Sequence, residues 1–154
     1  MSPRNIVILS SGFLVAYLLY KGQDMVRGVR NNNPGNLRLS NDNWVGLSEK
    51  QTDGSFFQFD KPEHGIRALT RVLINYQNKH GLNTVREIIS RYAPPNENNT
   101  ESYINAVAKF VGVAPDDYII VELHMDKLVR AIIKHENGFI PYSHNVISDG
   151  ISLA

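Results

Sequence analysis

The sequence has no cysteine, one tryptophan and almost no net charge, and each shortage removes a class of explanation. Without Cys there is neither a disulfide framework nor a thiolate metal site. The compartment stays open, because a core of this size needs no covalent staple. The 16 Lys and Arg are nearly matched by 15 Asp and Glu, for a net charge of +1. That balance offers no basic face or stripe for nucleic acid. His64, His80, His124, His135 and His144 lack paired ligand spacing such as H-E-x-x-H, so no metal centre is expected. No zinc ribbon, P-loop or G-x-S-x-G is present, so neither a cofactor nor a serine nucleophile is expected.

What is present is unevenly distributed. The 154 residues suit one domain, and 42% are hydrophobic, but Ile6 to Tyr20 forms a run without charge. As a helix this run would reach roughly 22 Å, against ~30 Å for a hydrocarbon core. Its flanks compensate, since Tyr17 and Tyr20 suit an interfacial belt and Arg4 and Lys21 can snorkel. We expect an uncleaved transmembrane anchor over residues 1–21. A signal peptide is the main rival, although Tyr20-Lys21-Gly22 is a poor cleavage context. A buried core helix is the third reading, and an apolar surface all round argues against it. Lys21, Arg27 and Arg30 after the run, against Arg4 before it, favour the following domain on the cytoplasmic side.

Residues 22–30 read as a polar tether and 31–154 as the domain. Asn33-Pro34-Gly35-Asn36 is a strong turn signal. Short strands are expected at Asn36–Leu39, Trp44–Leu47 and Phe56–Phe59, separated by hairpin-like loops. Helices then follow. Asp60 can cap one that begins at Lys61-Pro62 and stops at Gly81. Thr84-Val85-Arg86-Glu87 is a capping box. Thr100–Val111 carries the apolar stripe Tyr103, Ile104, Val107 and Val111 and is ended by Gly112. Met125, Leu128, Val129, Ile132 and Ile133 mark a helix ended by Gly138, and Ser143 can cap a last short one. The expected fold class is α+β, mainly helical: a small antiparallel β-hairpin region and about five helices, after one N-terminal transmembrane helix.

The chemistry-bearing piece is Ala131-Ile132-Ile133-Lys134-His135-Glu136-Asn137-Gly138. Glu136 sits in the last turn of an apolar-faced helix, where the dipole disfavours a carboxylate's charged form. Shelter by Phe139, Trp44 or Phe57 would add to that effect, as a general acid for glycoside cleavage requires. A solvated Glu paired with Lys134 or His135 is the plainer reading from position alone. Trp44 suits a sugar-stacking platform or the packing of a small sheet equally well. Tyr92 suits a sugar site or, by its helical spacing, the core. Asp53 and Glu49 lie where a second glycosidase carboxylate would sit, and a single-Glu lytic transglycosylase needs neither. Asn31 to Asn33 and Asn36 suit turn backbone.

Two resemblances bear on these choices. Asn32-Asn33-Pro34-Gly35-Asn36-Leu37-Arg38, Trp44-x-Gly46 and Phe57-x-Phe59-Asp60-Lys61-Pro62-Glu63-x-Gly65-Ile66 resemble the central part of bacterial N-acetylglucosaminidases of the lysozyme superfamily. Arg91-Tyr92-Ala93-Pro94 and Thr100-Glu101-x-Tyr103 are similar to a stretch adjoining that family's cleft. Its catalytic Glu stands in an "E-S-G" at a helix end before the turn motif, and no such Glu precedes Asn31 here. The resemblance therefore implies a circular permutation with Glu136-Asn137-Gly138 in that place, Glu136 as catalytic acid, and Asn36, Trp44 and Tyr92 as substrate-binding residues of a lysozyme-like domain.

The run R-G-V-R-N-N-N-P-G-N-L-R, with Y-A-P-P-N-E-N-N-T and I-I-K-H-E-N-G, resembles a structural protein family from the virion membrane of tailless, membrane-containing, corticovirus-type phages and related prophages. It implies a single-pass virion membrane protein partnered by the lipid bilayer and by other membrane or capsid proteins. Two functions follow as expectations. The domain cleaves peptidoglycan as a glycosidase or lytic transglycosylase, or it is a non-enzymatic component tying lipid to capsid.

Overall fold

A computed structural model describes residues 26–96 and 99–154. The described residues form helices α1 (Arg27–Arg30), α2 (Pro62–His80), α3 (Val85–Tyr92), α4 (Thr100–Val111), α5 (Val121–Asn137) and α6 (His144–Ser152). The short α1 lies inside the stretch read as a tether. The expected transmembrane helix has no counterpart among the described residues: residues 1–21 lie outside them, and no described helix is long and apolar enough to cross a membrane.

The expected β-hairpin region also requires correction, and with it the α+β, lysozyme-like fold class: the described domain is helical, without a sheet. Between α1 and α2 only two isolated antiparallel bridges form, Arg38 with Phe56 and Leu47 with Phe59. Backbone bonds join Leu39 to Ser55, Phe57 to Leu37 and Ser48 to Gln58 without extending into a ladder, and side chains take the neighbouring backbone groups. Gln58 Oε1 accepts from the Thr52 and Asp53 amides, and the Gln51 side chain binds both backbone groups of Gln58. Asp53 Oδ1 accepts from the amides of Ser55 and Phe56.

Asp53 also buckles this segment to α1. Arg27 donates Nε to Oδ2 at 2.7 Å and a second guanidinium nitrogen to Oδ1 at 2.5 Å, and Asn31 adds a bond of 2.8 Å. The Arg27 hydrogen bonds, then that of Asn31, hold the Asp53 carboxyl well below the usual carboxylate range. Asp53 is therefore a structural carboxylate.

Helix boundaries follow local chemistry. Thr84 and Glu87 form the expected capping box, and Gly81, Gly112 and Gly138 end α2, α4 and α5 in the left-handed conformation. Asp60 does not cap α2; Lys61 holds the N-cap position without a side-chain bond, and Asp60 pairs with the His64 ring instead at 2.5 Å. The start of α5 has no side-chain cap of its own. Gln77 Oε1 of α2 accepts from the Val121 amide at 2.9 Å, a cap supplied by the tertiary structure.

The main core joins α2 through α6, with Leu69, Ile88, Ile104, Leu128, Ile132 and Ile147 fully buried. Each such side chain contributes about 1.5–3 kcal/mol. Helices α4 and α5 run antiparallel: Tyr103 meets His135 at one end, and Lys127 donates to the Val111 carbonyl at the other. A second cluster, Phe57, Phe59 and Ala68, packs the irregular segment onto α2, with Leu37, Trp44 and Leu47 around it. Close approach requires Gly65 here, because a Cβ would collide with the Asn32 carbonyl oxygen.

Candidate active site

The C-terminal end of α5 meets the turn after α1. In that turn the Asn36 amide donates to the Asn33 carbonyl at 2.9 Å. Asn33 holds the turn from inside: its Nδ2 donates to the carbonyls of Leu37 and Phe57, and its Oδ1 accepts from the Leu37 amide. Asn36 has φ +49°, a left-handed conformation that Asn tolerates better than most residues. The chain there turns the Asn36 side chain towards α5.

Asn137 staples the two parts together. Its Nδ2 donates to the Pro34 carbonyl and to the Ile133 carbonyl, each at 2.8 Å. The preceding residue, half-buried Glu136, is held through both oxygens. Asn36 Nδ2 donates to Oε2 at 2.9 Å, and the Tyr103 hydroxyl of α4 donates to Oε1 at 2.8 Å. Burial, then the nearby Glu136 charge, pushes the Tyr103 phenol up, so it stays a neutral donor. Behind it the Tyr103 ring stacks on His135, with centroids 3.6 Å apart and planes 15° apart. Burial pulls His135 down, partly opposed by Glu136, which favours its neutral form at neutral pH.

Glu136 lines a groove of about 430 Å³, together with Asn36, Trp44 and Tyr92. The four residues singled out from sequence thus share one wall system. Trp44 is half-buried and packs against the Phe57 cluster. Tyr92 is anchored through its hydroxyl, which donates to the Gly35 carbonyl. A Cβ at position 35 would lie 2.6 Å from that hydroxyl oxygen, so a larger residue there would displace the Tyr92 side chain. Burial, then Glu136, also raises the Tyr92 phenol. Farther along, the Arg91 guanidinium sits over the Tyr76 ring at 5.4 Å, and Arg38 over Phe56 at 5.1 Å. Of the proposed second carboxylates, Asp53 is committed to Arg27, and Glu49 is exposed and outside the groove. Asp42 is the other acid on the groove wall, and it accepts from Ser40 Oγ at 2.6 Å.

Sequence reasoning read Tyr103 only as part of a helical stripe and a motif, and missed its bond to Glu136. The stripe contained that hint, because a buried phenol needs a hydrogen-bond partner. The bonds of Asn137 had no local signal.

No family model matches the chain. Over 130 residues it is 40% identical to Protein P5 of Pseudoalteromonas phage PM2, an alignment covering 82% of this chain and 81% of that protein. The expected resemblance to a phage protein family is met by this relative, and the chain belongs to the family of phage PM2 Protein P5.

Proposed function

We propose that this phage protein is a virion component whose helical domain binds and cleaves the glycan strands of peptidoglycan, with Glu136 as the general acid. The observation that carries the reading is a carboxylate fixed at both oxygens by Asn36 and Tyr103 at the edge of a groove lined with Trp44 and Tyr92. Aromatic faces suit the apolar faces of sugar rings, and a rotationally fixed carboxyl suits proton delivery to one oxygen.

Glu136 would protonate the glycosidic oxygen as the C1–O bond breaks. The resulting carboxylate would then take a proton from the hydroxyl that attacks C1. Asp53 is committed to Arg27, Glu49 lies outside the groove, and Asp42, the remaining acid on its wall, is bonded to Ser40; the sugar's own hydroxyl is then the favoured nucleophile, as in a lytic transglycosylase. The test is release of soluble fragments from purified peptidoglycan by the full-length chain, beside Glu136→Gln.

One observation favours a second reading, a non-enzymatic virion component. Leu123 and Tyr118 are 77% and 72% exposed, with Ile120 at 45% beside them, an apolar patch suited to docking another virion protein. Under that reading wild type and Glu136→Gln are equally inactive.

A further inference from the structure

A second groove, of about 560 Å³, lies between α4 and α5 next to the candidate site. Its charged wall is cationic: Lys109 and Lys134 line it with His135 and Phe110, and no carboxylate does. Among the described residues neither lysine has a salt bridge. The Lys134 ammonium lies over the Phe110 ring at 5.8 Å, and both lysines are exposed. Each stands in the last turn of its helix, where a cation suits the macrodipole. Because the helices are antiparallel, the two charges reach the groove from opposite ends of the helix pair. The two grooves share a partition. His135 lines the second, Glu136 lines the first, and Tyr103 touches both, stacking on one and donating to the other.

We propose that this second groove binds the carboxylate-bearing peptide stems of peptidoglycan, while the strand that carries them occupies the Glu136 groove. The inference rests on the glycan reading above and adds a substrate preference to it. Stem peptides carry free carboxylates that complement Lys109 and Lys134, and their aliphatic parts match Phe110.

The test uses the full-length chain carrying Glu136→Gln, so that binding is read without cleavage. Its affinity is measured for intact sacculi, for sacculi with amidated peptide carboxylates, and for glycan strands stripped of peptide. The expected result is binding to intact sacculi at least tenfold tighter than to the other two. Adding Lys109→Glu and Lys134→Glu, both on exposed positions, removes that preference, with the melting temperature lowered by no more than the few degrees that two charges opposed to the macrodipole cost. Equal binding to all three materials, or a preference that survives both charge reversals, overturns the second site and leaves the glycan reading standing. Binding to none of them overturns both.

Discussion

Asn36 Nδ2 donates to Glu136 Oε2 at 2.9 Å, joining residues 100 positions apart. The bond ties the turn after α1 to the last turn of α5, and it fixes the direction in which Glu136 faces the groove. Its donor depends on a left-handed backbone at Asn36, which allows side chain and backbone to be tested separately. Asn36→Gly keeps the backbone conformation and removes the donor. Cleavage should fall about 10–100-fold, as expected when a catalytic carboxyl loses a positioning bond, with stability lowered by about 1–3 kcal/mol for the lost bond. Asn36→Ala removes the same donor and adds a left-handed strain of roughly 1–2 kcal/mol. Urea unfolding should separate the two variants while their activities match.

Tyr103→Phe removes the second donor to Glu136 and keeps the ring stacked on His135. Cleavage should drop about tenfold or more through kcat, with stability lowered by about 1–3 kcal/mol. An unaltered kcat would contradict a positioning role for the hydroxyl.

Asn137→Ala leaves the Pro34 carbonyl without its donor at a buried site. The expected loss is about 1–3 kcal/mol, read by urea unfolding. Activity should fall further than stability predicts, because the turn carrying Asn36 loses its staple.

Asp53 gives a pH signature. Its folded-state pKa is depressed by Arg27 and Asn31, so its contribution is present above the unfolded aspartate value of ~3.9 and is lost as pH falls towards the lower native value. Asp53→Asn should therefore melt several degrees below wild type at neutral pH, with the gap closing in strong acid. A gap independent of pH would contradict the Arg27–Asp53 account.

Much of the helical domain was legible in the sequence because its signals are local. The capping box at Thr84, the glycines after α2, α4 and α5, and the stripe through Leu128 and Ile132 all act within a few residues. The segment from Asn36 to Phe59 was misread because turn-rich breaks announced hairpin loops between strands, while the side chains of Gln51, Asp53 and Gln58 hold the second break and Gln58 itself in an irregular form with only two isolated bridges. Glu136, Asn36, Trp44 and Tyr92 were singled out from motifs, and they line one groove. Tyr103 and Asn137 were not assigned their roles, because a bond from Tyr103 to Glu136 or from Asn137 to Pro34 depends on how α4, α5 and the turn pack. Spacing alone carries no record of that packing.

The most direct measurement compares the full-length chain and Glu136→Gln for release of soluble muropeptide fragments from purified peptidoglycan, with matched melting temperatures. The account predicts release by wild type and a loss of at least ~100-fold in the variant, the range expected when a general acid is removed. Equal release by both proteins would contradict Glu136 as the acid, and no release by either would contradict glycan cleavage itself.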